Sequence, residues 1–315
     1  MESAVPVVFL IFNRPDLTAR VFDAIAAAKP KTLLVVADGP RATRADDVEK
    51  CEAARAIVDH VSWDCEVLRN YSDANVGCGR RVSSGITWAF QHVDEAIILE
   101  DDCVPDPSFF PFCAELLNRY RDDERVMMVG GTNLLGKWRH DAQSYHFSYH
   151  IAIWGWATWR RAWCHYDYDM RLWQHSEARR VLKDVLCNEN DHQRRVRELD
   201  NAYAKGIDAW SYQWMLACLM QSGLAILPAV NLVTNVGFRD DATHTGPGAA
   251  RRYSVPSQSM VFPLRHPIGV APDRAFDDAL LQLFGSAGRR RRAPALLRPT
   301  AWLRRARRLA SRVIH

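Results

Sequence analysis

The sequence predicts an α/β protein with a mostly parallel sheet flanked by helices, and three observations lead there. Short apolar runs at residues 5–12, 32–37, 65–70 and 96–99 alternate with helix-patterned stretches, as successive right-handed βαβ units do. The run at 96–99 lacks polar alternation, which marks a strand buried on both faces. Each run also ends in polar residues, which the chain therefore delivers to the edge where open α/β sheets bind ligands.

The elements follow in order. Residues 5–12 form a strand ended by Asn13-Arg14-Pro15-Asp16, with Asp16 placed to cap a helix over 17–28 that turns Leu17, Val21, Phe22 and Ile25 to one face. The second strand, 32–37, ends at Asp38-Gly39-Pro40. A helix over 49–60 and a third strand at 65–70 come next. Asn75-Val76-Gly77-Cys78-Gly79-Arg80 then leads into a helix with Val82, Ile86 and Phe90 inward. The fourth strand rises directly into Glu100-Asp101-Asp102, and the following helix opens at Pro107.

Three adjacent carboxylates repel one another, and half-burying them is costly without a compensating cation. A hard divalent ion bridging them to a phosphate is the natural partner. A solvated acidic turn is the competing reading. Arg14 and Arg80 suit phosphate because guanidinium is a fixed fork of donors, and Asn13 stands beside Arg14. Asp38 can accept from a ribose hydroxyl or a base N–H. The plainer alternative, weightiest for Asn75 and Arg80, is that such residues hydrogen-bond their own loops.

The second half changes character. Residues 126–131 read as a strand, and 145–163 carry Tyr145, Phe147, Tyr149, Trp154, Trp156, Trp159 and Trp163. Gly155 lies between the indoles of Trp154 and Trp156, where glycine admits close approach and flat apolar faces suit a sugar ring. The alternative is a core seam, expected more of Trp159 and Trp163 than of Trp154 and Trp156. Residues 176–204 read as a charged, solvated helix. An apolar helix then begins near Asp208, which is either its cap or a general base over the substrate. Extended pieces at 224–228 and 230–236 precede a polar loop whose His244 is placed to close over a bound donor.

Composition removes several classes. The formal charge of +4 is carried by the tail: ten of the 41 basic residues follow Gly288 with no acid among them, leaving 31 against 37 acidic in residues 1–288. A mildly acidic body argues against a general nucleic-acid binder. The 289–315 tail sets Trp302, Leu309, Val313 and Ile314 among arginines, which suits an anionic membrane surface; nucleic acid or disorder compete. The N-terminal apolar run is preceded by Glu2 and cut at Asn13-Arg14-Pro15, unlike a signal peptide. No run is long enough to span a bilayer, and the eight cysteines show no CxxC pair or zinc-like spacing. A cytoplasmic protein, peripheral at the inner face of the membrane, is expected. Neither a P-loop nor a G-x-G-x-x-G after the first strand is present.

Taken together, residues 5–245 resemble GT-A-fold (Rossmann-like) glycosyltransferases, nearest the N-acetylglucosaminyltransferase I type and bacterial family 2-like sugar transferases. The likeness rests on Val-Phe-Leu-Ile-Phe-Asn-Arg-Pro-Asp at 8–16, Val-Ala-Asp-Gly at 36–39, Leu-Glu-Asp-Asp at 99–102 with Pro-Asp-Pro-Ser-Phe-Phe at 105–110, Trp-Gly-Trp at 154–156, and Asp208 before Trp210 and Trp214. It implies a transferase domain over 1–250, with a donor half to about 125 and an acceptor half beyond, a covering segment at 251–288, and the tail. It further implies that Glu100-Asp101-Asp102 is the DXD-type element, Asp102 touching Mn2+ or Mg2+ and Asp101 near the donor ribose. Arg14 and Asp38 would hold phosphate and base, and Asp208 would deprotonate the acceptor. The Gln-x-x-Arg-Trp signature of processive synthases is missing, and His244 has no counterpart. The activity so implied is metal-dependent, inverting transfer of a hexosyl or N-acetylhexosaminyl group from a nucleoside-diphosphate sugar to a cell-envelope or lipid-linked glycan. A sugar nucleotidyltransferase and a non-catalytic carbohydrate- or nucleic-acid-binding protein are the alternatives.

Overall fold

The computed structural model describes residues 5–238 and 253–285. The first half runs β1 (Val7–Ile11), α1 (Pro15–Ala28), β2 (Thr32–Ala37), α2 (Asp47–Ile57), β3 (Glu66–Tyr71), α3 (Cys78–His92) and β4 (Glu95–Glu100). It continues with β5 (Cys103–Pro105), α4 (Phe109–Arg119), β6 (Val126–Gly130), β7 (Tyr145–Ser148), β8 (Trp156–Trp159) and α5 (Arg160–Trp163). The remainder is α6 (Ser176–Leu186), α7 (Glu189–Lys205), α8 (Ser211–Met220), β9 (Leu224–Pro228), β10 (Val233–Asn235) and α9 (Arg274–Gly285).

Eight strands form one sheet in the order β3-β2-β1-β4-β8-β6-β9-β7, and β10 pairs with β5 in a separate ribbon. Following the pairings, β7 and β8 run against the other six strands of the large sheet, so the expected mostly parallel sheet is present. Both sheet faces are covered. Val7, Phe9 and Ile11 of β1 pack with Val21, Phe22 and Ile25 of α1, while Phe112 and Leu116 of α4 extend that layer. Val8 and Leu10 point the other way, to Val82, Ile86 and Phe90 of α3 and on to Trp214 of α8. Ala96, Ile97, Ile98 and Leu99 have no exposed surface at all, which is why β4 reads as an uninterrupted apolar run. Each buried Ile or Leu there contributes roughly 1.5–3 kcal/mol.

Four local departures have physical reasons. Helix α1 starts at Pro15, whose missing N–H costs nothing in a first turn, so Asp16 sits inside that turn and Arg14 marks the boundary. The aromatic stretch 145–163 contributes two antiparallel strands, since aromatic residues favour a pleated surface flanked by buried neighbours. Residues 176–204 divide into two helices at Cys187, which adopts φ 56°. Their face is not wholly solvated, because Asp191 and Arg195 are buried. Finally, α9 supplies Phe276 and Leu280 to the core beside Trp156 and Trp214, where only covering structure was expected.

Helix α3 lies unusually close on β2: a Cβ at Gly85 would stand 2.3 Å from Val36 Cγ1. Glycine there lets the N-terminus of α3 reach the carboxyl end of β2, and so builds one wall of the site.

Candidate functional site

Strand order 3-2-1-4 means the chain leaves β1 to one side for β2 and β3 and returns on the other side for β4. The crevice between β1 and β4 is therefore a topological switch point, where open α/β sheets bind ligands. Register pairs Leu10 with Glu100 and Ile11 with Ala37, so Arg14, Asp38 and Asp101-Asp102 emerge side by side.

Arg14 meets the acids directly. Its Nη1 donates to Asp102 Oδ2 at 3.0 Å and its Nε to Asp101 Oδ2 at 3.3 Å, while Nη2 donates to Asp101 Oδ1. The adjacent acids differ in access: the Asp101 side chain is 4% exposed and that of Asp102 15%. Burial opposes the charge on Arg14, yet the fields of Asp101 and Asp102 outweigh it and hold the guanidinium protonated. Burial, then the charges of Asp102 and Asp101, push the Glu100 carboxyl above its ordinary range. Burial likewise raises Asp101, against the pull of Arg14. One guanidinium thus faces three carboxyl groups, and the edge is short of positive charge.

The ribbon of β5 and β10 closes the far side. Asn235 Nδ2 reaches Asp102 Oδ1 at 3.3 Å, and the Val236 N–H donates to the Asp102 carbonyl at 2.8 Å. A Cβ on Gly237 would lie 2.2 Å from Asp102 Oδ2, so only glycine fits against that carboxylate. Phe238 follows and meets the Trp154 ring edge-on at 5.4 Å, with Tyr253 at 6.3 Å from the same indole. Asn235 and Gly237 were missed by sequence reasoning; Asn-x-Gly near a strand end was the available signal.

On the β2 side, Asp38 is buried and accepts from the backbone N–H groups of Gly39, Val76 and Gly77 and from Asn75 Nδ2 at 2.9 Å. A carboxylate has about four acceptor positions. All are engaged, so Asp38 and Asn75 hold the loop before α3, and Asp38 has nothing left for a ribose or base. Asn13 turns aside to Asp47 (2.7 Å), which Arg41 grips through Nε at 2.6 Å and Nη2 at 2.9 Å. Arg80 lies over the Tyr168 ring at 4.7 Å, not beside the acids.

Asp208 reaches this edge from the loop before α8. Its two oxygens accept from the N–H groups of Cys78 (2.9 Å) and Gly79 (2.6 Å), so it caps α3 rather than its own helix. The Cys78 thiol is raised mainly by burial and further by the charges of Glu100, Asp208 and Asp102, with Arg14 opposing them.

Two expectations are corrected. Trp156 has no exposed surface and stacks on Trp210 at 5.5 Å, so it cannot bear a sugar. Gly155 adopts φ 64°, and a Cβ there would meet Val233 Cγ2 at 2.7 Å, so protein packing demands this glycine. Trp154 alone of that motif stays partly exposed. His244 lies outside the described residues.

No family model matches the chain, and no curated protein matches it. Among solved structures, it is similar to a mannosyltransferase from Pyrobaculum calidifontis in complex with GDP-Man and Mn2+, at 14% identity over 70% of each chain with a TM-score of 0.39. It is also similar to an inositol-1-phosphate CTP transferase from T. maritima, at 6% identity over 72% of this chain and 86% of that one, TM-score 0.38. A third is HddC from Yersinia pseudotuberculosis, at 9% identity over 50% and 77%, TM-score 0.32. Likeness this distant carries no activity across, and the function must be argued from the site.

The donor set suits a hard cation, being carboxylate oxygen. Among the described residues no three potential ligands converge on one point. Mg2+ is usually bound by one or two carboxylates, with phosphate oxygens and water completing its shell. Asp102 is the accessible member.

Proposed function

We propose that this protein is a metal-dependent, inverting glycosyltransferase that moves a sugar from a nucleoside-diphosphate donor to an acceptor hydroxyl. The observation that carries the reading is the meeting of Arg14 with Asp101 and Asp102 at the β1/β4 switch point. Guanidinium and cation each bind diphosphate, and acids left short of positive charge are what a cation satisfies.

When bound, the dication offsets charge that develops on the diphosphate as it leaves. Asp102 would hold it and Arg14 would orient the phosphates. Asp101 fixes Arg14, and Asp38 with Asn75 keeps the adjoining loop in place. Glu100, its carboxyl pushed toward the neutral form by burial and the neighbouring acids, precedes the pair at the end of β4. Trp154 offers the one accessible indole of its motif for the sugar, beside Phe238, the residue after Gly237. Asp208 takes the acceptor's proton: two of its acceptor positions are engaged by α3, which fixes its orientation and leaves others free. Attack on the face opposite the departing diphosphate inverts the anomeric centre.

Acceptors at a membrane, in lipid-linked or envelope glycan, are consistent with the basic 289–315 segment, which lies outside the described residues. Among the described residues no helix is long and apolar enough to cross a membrane. The test is to incubate a panel of nucleoside-diphosphate sugars with the full chain, with Mn2+ or with chelator. Metal-dependent release of nucleoside diphosphate is expected. Release of pyrophosphate from a nucleoside triphosphate and sugar phosphate would instead mark a nucleotidyltransferase, and no turnover would mark a binding protein.

A further inference from the structure

In the described arrangement the acids are not empty-handed: Arg14 already offsets part of their charge. It is bonded twice to Asp101 and once to Asp102, so its hold on the two is unequal. Asp101 is nearly inaccessible and its bond to Arg14 is the counter-charge that makes its burial tolerable. The Asp102 bond is the more exposed and the more separable. The second oxygen of Asp102, Oδ1, accepts from Asn235 Nδ2, and the Gly237 backbone packs against Oδ2 beside Arg14. A cation approaching Asp102 therefore has to take the place of Arg14 Nη1 or lie beside a like charge.

We propose that Arg14 is a resident counter-ion for Asp102, so that metal ion and diphosphate bind together and each binds poorly alone. The inference rests on the metal-dependent reading above. A dication displaces Nη1 from Asp102, and the diphosphate gives Nη1 a new acceptor. Without diphosphate the cation leaves Nη1 unpaired; without cation the diphosphate meets three carboxyl groups. Because such coupling is reciprocal, each ligand raises the affinity for the other by one common factor. The consequence is protection: the protein does not load a cation that has no donor to act on.

The experiment measures binding of Mn2+ alone to the full chain, from the loss of the free-ion electron paramagnetic resonance signal. Binding of inorganic pyrophosphate in the presence of chelator is measured by calorimetry. Arg14→Gln is expected to bind Mn2+ alone at least tenfold more tightly than wild type and pyrophosphate at least tenfold more weakly. Arg14→Lys, which keeps a charge for Asp101 but loses the fork, is expected to fall between on both. Adding Asp102→Asn to Arg14→Gln should abolish the gain for Mn2+. Arg41→Gln, which removes a guanidinium paired with Asp47, controls for a general change of field and should shift Mn2+ affinity less than twofold. If Arg14→Gln, or Arg14→Lys should the former not fold, binds Mn2+ no more tightly than wild type while Asp102→Asn abolishes binding, the counter-ion role is wrong and the metal site stands. If none of the proteins binds Mn2+ even with pyrophosphate added, the metal-dependent reading falls and this inference falls with it.

Discussion

Asp101 and Asp102 are neighbours in sequence and opposites in role. The first is sealed under Arg14 and the second faces the crevice, because the strand ends at Glu100 and successive side chains then diverge. Asp102→Asn is expected to leave the thermal midpoint within a few degrees of wild type and reduce transfer to background. Asp101→Asn breaks a buried ion pair and should cost on the order of 3 kcal/mol in denaturant melts. Asp208→Asn should retain donor affinity and lower kcat by at least about a hundredfold, the usual scale of a lost general base; near-normal kcat would remove Asp208 from that role. The acid triplet was legible because charge at the end of an apolar run has few cheap explanations. The Trp-Gly-Trp motif was misread at Trp156 because spacing alone does not say where a chain turns. The positive φ at Gly155 separates the two indoles, sending Trp156 into the core and leaving Trp154 partly exposed.

Helices and strands explain which parts of the site were visible in advance. Patterned apolar positions located α1, α3, β2 and β4 within a few residues, since each buries one face on the same sheet. What no pattern revealed was cross-chain capping: Asp208 was weighed as the cap of its own helix and instead caps α3, 129 residues away in sequence at Gly79. The docking of α9 on β7 was equally hidden. There His146 packs on Phe276 at 4.0 Å between ring centres, with neither ring nitrogen hydrogen-bonded. Burial pushes its imidazole down to about 4, the charges of Asp273 and Arg139 opposing each other. The unfolded chain takes up that proton below about pH 6.5 and the folded one only near 4, so stability falls as pH drops through this window. Between pH 7 and pH 5, wild type should lose roughly 2 kcal/mol more than His146→Phe in urea melts. Equal losses would show that the folded state protonates His146 freely.

Across the whole molecule, the first half announces itself because parallel βαβ units write strand and helix into separate stretches. The second half is less legible: β7 and β8 enter antiparallel, β10 leaves the main sheet, and residues 253–273 run irregularly to α9. Their partners are distant side chains such as Asn231, whose Nδ2 donates to the carbonyls of Val233 and Val255, and such pairings have no local period. A chain ended at Gly288 is expected to keep the wild-type thermal midpoint and lose binding to anionic vesicles, each basic residue near the surface having been worth about 1 kcal/mol. A chain ended at Asp273 should melt lower because Phe276 and Leu280 leave the core. Undiminished vesicle binding after the first truncation would move the membrane contact elsewhere.

The central claim is that the β1/β4 crevice holds a diphosphate and a cation between Arg14 and Asp102. Its most direct test is anomalous diffraction from crystals of the full chain grown with Mn2+ and a nucleoside diphosphate. The expected result is a manganese peak in contact with the Asp102 carboxylate and a phosphate oxygen, with Arg14 Nη1 turned from Asp102 to the phosphates. Nucleotide bound at another edge of the sheet, with Arg14 still paired to both acids, would contradict it.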